Sequence, residues 1–202
     1  MALWKDWRFI LGVAAAYVLL YVTFLDKDIF WYIYTAAALF FISISIISEP
    51  IDDQQNTNRF MLYGIVSGVI LYALFAAGYA LLKLLPVSAE EHVSSIYGLF
   101  SPVFIWHYIV LVLILIPGEE LFFRGFIQKR LSRYVNKWAA MVIAALFYAS
   151  VFVFSGEWLW MAAALCGGLF WGSLYIWRKS IPLLIISHLI FDLLFIIFLP
   201  LA

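Results

Sequence analysis

Long apolar runs alternate with short polar stretches along this chain, a rhythm that predicts helices crossing a membrane. Runs long enough to cover about 30 Å of hydrocarbon fall at 8–25, 29–48, 60–85, 98–118, 138–154, 158–177 and 181–200. Between them lie Asp26-Lys27-Asp28, the stretch from Glu49 to Arg59, the segment around Glu90-Glu91-His92, Lys129 to Lys137, Ser155 to Glu157, and Arg178-Lys179. The expected fold is an all-α polytopic membrane protein, a bundle of about seven transmembrane helices. No long Pro-, Gly- or Ser-rich linker interrupts it, so residues 1–202 read as a single transmembrane domain.

Composition fixes the solvent. With 67% hydrophobic and only 12% charged residues and a mean hydropathy of +1.05, a soluble domain of this size could not hide its apolar surface. Basic residues collect on the cytoplasmic side of membrane proteins. With the N-terminus cytoplasmic, Lys5, Arg8, Arg59, Lys129, Arg130, Arg133, Lys137, Arg178 and Lys179 all fall inside, leaving Lys27 and Lys83 outside. Trp4, Trp7, Trp31, Trp138, Trp158 and Trp177 lie near the ends of the runs, where indole rings favour the interface. Lys5 and Arg8 precede the first run as they would in a signal peptide, but no small-residue cleavage site follows, so it reads as a retained anchor.

The same inventory removes several classes. Net charge is zero and no basic block appears, which excludes nucleic acid as a partner. Cys166 is alone, so it forms no intramolecular disulfide and reads as a small packed hydrophobe. The row Ala164, Gly168, Gly172 reads as a surface for close helix packing. The stretch Glu49 to Asn58 reads as a solvated loop. The last run lacks the lysine of a retinal receptor. Val153-Phe154-Ser155-Gly156 is not the Gly-x-Ser-Gly of a rhomboid-type serine protease.

Charge inside the apolar runs is the informative exception. One Asp, Lys or Arg at the centre of a membrane helix costs roughly 2.5–3.5 kcal/mol, so intramembrane ionisable groups mark function by default. Glu119, Glu120 and Arg124 follow Pro117 and Gly118 on one predicted helix. Pro117 removes a backbone hydrogen bond, predicting a kink that admits water. Glu120 and Arg124 stand one turn apart, whereas Glu119 points about 100° away. Arg124 is therefore expected to hold Glu120 while Glu119 faces a cavity as the chemically available group. His188 and Asp192 are also one turn apart, so Asp192 is expected to orient the imidazole. Counted from the basic ends, Glu119 lies about 15 Å deep and His188 and Asp192 roughly 10–17 Å deep, so the two pairs can share a layer. His107 lies about 18 Å along the axis from Glu119 and on another face, as a packing or interface residue. His92 is assigned to an external loop.

Glu-Glu-x-x-x-Arg at 119–124 followed by His-x-x-x-Asp at 188–192 resembles the CPBP (CAAX prenyl protease and bacteriocin-processing, or Abi) intramembrane endopeptidases, over roughly residues 98–200. The resemblance implies that Glu119 activates the hydrolytic water, while His188 and the residue at 192 steady the oxyanion. It nominates Glu119, Glu120, Arg124, His188 and Asp192 as the catalytic set. It also exposes a departure. The family carries Phe-x-x-x-His between these motifs, whereas this chain has Phe147-Tyr148-Ala149-Ser150-Val151, and valine neither accepts a proton nor binds water. Ser150 reads as bonded back to its own helix and Tyr148 as an aromatic in packing. At 192, Asp replaces an Asn that could donate a hydrogen bond.

No cofactor is expected. Glu119, Glu120, His188 and Asp192 are metal-ligand types, but no His-Glu-x-x-His or other zinc spacing is present. The expected function is an intramembrane endopeptidase hydrolysing prenylated, pheromone or bacteriocin-like substrates near the cytoplasmic side, by glutamate-activated water. Its partners would be a peptide or membrane-protein substrate and the lipid bilayer, and its home a bacterial cytoplasmic membrane. The competing reading, drawn from Val151, is an inactive scaffold acting as an immunity or regulatory protein.

Overall fold

The computed structural model describes residues 5–84 and 88–201. Trp4 and the last residue of the run at 60–85 lie outside the described residues. The chain winds through α1 (Trp7–Leu25), α2 (Phe30–Ser48), α3 (Thr57–Leu82), α4 (Ala89–Phe100), a long helix α5 through 105–131, α6 (Lys137–Ser155), α7 (Trp158–Arg178) and α8 (Ile181–Phe198). Among the described residues, six helices, all but α4 and α5, are long and apolar enough to cross a membrane. At 1.5 Å per residue α5 is about 40 Å long, and it carries the Glu-Glu-x-x-x-Arg motif in its second half.

The helices start where short polar side chains can satisfy the free N–H groups of a first turn. Asp6 accepts from the Phe9 amide, Asn56 from Arg59, Asn136 from Trp138 and Ala139, and Ser180 from Leu183. All four caps belong to helices that begin at one end of the bundle. Residues 6, 49–53, 129–133 and 178–181 are joined to one another at that end. The connections 89–104 and 155–157 and the C-terminal Leu199 and Leu201 meet at the other. The basic residues Lys129, Arg130, Arg133 and Lys179 thus share an end with the chain's start.

The run at 98–118 is not one element. It divides at Ser101–Phe104, where Pro102 disfavours helical geometry in the residue before it. Upstream, α4 is a separate short helix, which also places His92 on a helix and not in a loop. Downstream, α5 passes Pro117 by widening. Segments Leu111–Leu115 and Glu120–Gln128 are π-helical, and the Ile116 amide bonds to the Leu111 carbonyl five residues back. A wider turn relieves the crowding of the proline ring against the preceding turn. Two π segments bracket Pro117.

Small residues let the helices approach closely. A Cβ on Gly68 of α3 would lie 2.5 Å from the Ser187 carbonyl of α8, and one on Gly168 of α7 would meet Ala145 of α6 at 3.0 Å. The row Ala164, Gly168, Gly172 faces inward as expected, and Gln128 donates to the Gly172 carbonyl at 3.0 Å. Cys166 differs from its expectation: its side of α7 faces outward, and the thiol is exposed.

The stretch Glu49 to Asn58 is no solvated loop in its first half. Glu49 is buried and pairs with Arg130 at 2.8 Å and Arg133 at 2.5 Å, while Arg130 also binds Asp6. Asp52 pairs with Lys129 at 2.9 Å and accepts from Tyr175 at 2.5 Å, and the Asp52 carbonyl accepts from the Ile181 amide. Burial alone would raise the Asp52 carboxyl, but hydrogen bonds from Tyr175 and Lys129 hold it below its usual value. The segment straps the basic end of α5 to the start of α8.

Candidate active site

Adjacent in sequence, Glu119 and Glu120 diverge in space. Both are buried, Glu120 completely. Glu120 turns toward α8: its Oε1 accepts from Arg124 Nη1 at 3.0 Å and is 2.8 Å from His188 Nδ1. Glu119 turns toward α2 and α6, where Tyr34 donates to its Oε1 and Tyr148 to its Oε2, the latter at 2.5 Å. One carboxylate sits against a guanidinium and an imidazole, and the other against two neutral phenols.

His188 bridges the two sequence motifs. Its Nε2 lies 3.7 Å from Asp192 Oδ2, longer than a hydrogen bond. The expected pairing along one helix thus gives way to one across helices: Glu120 of α5 orients the ring through Nδ1, and Asp192 stands off the other nitrogen. Trp171 of α7 supports the assembly. Its indole stacks on His188 at 3.9 Å and 25°, the Arg124 guanidinium lies over its face at 5.4 Å, and its Nε1 donates to Ser187. Arg124 also lies 4.8 Å over the Tyr148 ring. These cation–π contacts help offset the loss of hydration around the buried guanidinium.

Glu119, His188 and Asp192 line one cavity of about 170 Å³, with Tyr34, Tyr148 and Trp171. Beyond them its walls are largely apolar and aromatic, and they include Ile96, Tyr97 and Phe100 of α4. The cavity extends from mid-bundle toward the end opposite the basic strap, where α4 covers it. The sequence reading anticipates access near the basic end, so the open volume lies on the other side of the site. Outside the spans, α4 is latched by Glu157, which binds Ser95 at 2.6 Å and His92 at 2.9 Å. The Ser95 hydroxyl holds the Glu157 carboxyl below its usual 4.5 against the opposing effect of partial burial, and His92 adds to the lowering.

The remaining polar residues sort cleanly. His107 is buried at the start of α5, where Nδ1 accepts from the Val103 and Phe104 amides, and its ring stacks on Trp31 at 4.5 Å. It packs and caps, away from Glu119. Ser150 bonds the Phe147 carbonyl of its own helix and lies 2.5 Å from the Tyr17 hydroxyl. Val151 is buried in the core beside Tyr148 and Phe152. Tyr148 exceeds its expectation: it packs edge-on against Phe123 and Phe152 and also donates to Glu119. Tyr34 escaped the sequence reading. The available signal was its place on the inward stripe Phe30, Tyr34, Ala37, Ala38, Phe41, where a buried phenol needs a partner. Among the described residues, no group of three or more His, Cys, Asp or Glu side chains is arranged to hold a metal ion.

Residues 101–194 match the family described as type II CAAX prenyl endopeptidase Rce1-like. No curated protein and no solved structure matches the chain. The matched stretch contains both sequence motifs, whereas Tyr34 lies outside it.

Proposed function

Since residues 101–194 carry the chain into the CPBP family through its Rce1-like type II CAAX prenyl endopeptidases, we propose that it is an intramembrane endopeptidase working by glutamate-activated water. The observation that carries this reading is Glu119. It is a buried carboxylate on a cavity wall with no cation bonded to it among the described residues, at the level of an oriented histidine. A scaffold freed from catalysis has no use for such a group, which is costly in a membrane interior.

In the proposed reaction a cavity water gives a proton to Glu119 as its oxygen attacks the peptide carbonyl. His188, held through Nδ1 by Glu120, presents Nε2 to the cavity and in its protonated form donates to the developing oxyanion. Arg124 fixes Glu120 in place, so that the imidazole has one orientation. As the C–N bond breaks, Glu119 returns the proton to the departing amine. Asp192 stands beside Nε2, its Oδ2 3.7 Å away. The substrate is a membrane-associated peptide, with prenylated, pheromone or bacteriocin-like chains as the candidate classes.

The test is cleavage of a farnesylated peptide by the purified chain in liposomes, with fragments identified by mass spectrometry. Wild type is expected to cleave at one bond, and Glu119→Gln and His188→Ala to leave the peptide intact while folded. Equal cleavage by Glu119→Gln would remove Glu119 from the mechanism.

A further inference from the structure

Glu119 is held in a way that neither sequence motif accounts for. Its two oxygens are divided between phenols from two different helices, Tyr34 of α2 and Tyr148 of α6, and all three side chains are buried. An ionised carboxylate has about four lone-pair sites. One phenol on each oxygen therefore fixes the plane of the group and leaves each oxygen a second site, on the side where Glu119, Tyr34 and Tyr148 line the cavity. That is the geometry a general base needs: one orientation, with an acceptor site free for water.

The clamp also bears on Val151. Three residues before it on the same helix stands Tyr148, and Val151 itself is buried in the core. Position 151 thus offers no polar atom, and the polar contact that α6 makes with Glu119 comes from Tyr148. We propose that Tyr34 and Tyr148 are positioning residues that hold Glu119 for water activation, together supplying the second-partner role that an imidazole at 151 would otherwise take. This deepens the protease reading and rests on it.

The clamp has a readout that needs no substrate. Dicyclohexylcarbodiimide modifies carboxyl groups in membrane interiors, and mass spectrometry of the peptide bearing Glu119 measures its rate, with Glu119→Gln as the blank. Tyr34→Phe and Tyr148→Phe keep both rings and remove only the hydroxyls. Each is expected to label several-fold faster than wild type, and the double variant faster still, because a freed oxygen is open to the reagent. Cleavage per folded molecule is expected to fall roughly ten- to a hundred-fold in each, the worth of one hydrogen bond to a charged group. The loss should appear in kcat and not in KM, whereas a merely structural tyrosine would move neither the labelling rate nor kcat.

Unchanged labelling in both folded single variants would overturn the clamp. Faster labelling with undiminished cleavage would overturn its positioning role. Faster labelling alongside a wild type that cleaves nothing would keep the clamp and sink the protease reading instead, so the two failures are distinguishable. Either single variant suffices if the double does not fold.

Discussion

The helix α5 and the turn that follows it carry two polar clusters centred about ten residues apart, and they are built on opposite principles. Near its basic end Lys129, Arg130 and Arg133 meet Asp6, Glu49 and Asp52, three cations against three carboxylates, cross-linked into a strap. Higher up, Glu119, Glu120 and Asp192 share a layer with Arg124 and the titratable His188. There the guanidinium is committed to Glu120, and Glu119 is left with hydroxyl partners and a cavity. The strap pairs each of its carboxylates with a cation, whereas the upper layer sets Glu119 and Asp192 beside open volume. Removing one partner from such a buried network of pairs leaves the others uncompensated, which is strongly destabilising. A buried carboxyl group on a cavity wall is a candidate for chemistry.

Substitutions that treat the two clusters alike should therefore give opposite phenotypes. The largest effect is expected from Glu119→Gln, which keeps shape and loses the base. Cleavage should fall roughly 10³-fold, within the usual range for a general base, with thermal stability in detergent no lower than that of wild type. Arg130→Ala in the strap strips Asp6 and part of Glu49 of their partner. It should cost about 3–5 kcal/mol of stability, measured by thermal or denaturant unfolding, while each remaining folded molecule cleaves normally.

A subtler break acts between the clusters and their surroundings. A Cβ on Gly118 would lie 3.0 Å from the Ala38 carbonyl of α2, one turn from Tyr34. Gly118→Ala should push α2 away, costing about 1–3 kcal/mol through overpacking and lowering cleavage by loosening Tyr34 from Glu119. Unfolding and turnover measured on the same preparation check both.

The smallest effect concerns the α4 latch. Since Glu157 is held below 4.5 in the folded protein, its contribution is present above that pH and is lost as pH falls through the lower folded value. Amide exchange in α4 should quicken below pH 4.5 while exchange in α5 stays slow. Uniform quickening would mean that α4 is no independent cover.

Much of this architecture was legible in the residues. Six of the seven apolar runs correspond to helices of spanning length, the run at 98–118 being the exception, and the basic residues marked the end of the bundle now seen to be strapped together. The four-residue spacing of Glu120 and Arg124 gave their ion pair. What the sequence withheld depends on contacts between helices. Spacing along α8 suggested Asp192 as the partner that orients His188, but tertiary packing brought Glu120 closer. Pro117 signalled a local disturbance of α5, but not that two π segments would bracket it. Glu49 and Asp52 looked like loop residues because their partners lie some 80 positions away along the chain. Tyr34 was illegible for the same reason: an apolar stripe tells which face is buried, not which carboxylate a phenol will meet there.

The central claim is that the uncompensated Glu119 is a hydrolytic base. Its most direct test maps new peptide termini by mass spectrometry in membranes expressing wild type, Glu119→Gln or His188→Ala at matched folded levels. The account predicts termini that appear with wild type and vanish with both variants. Identical termini in all three samples, with the protein folded and abundant, would contradict it.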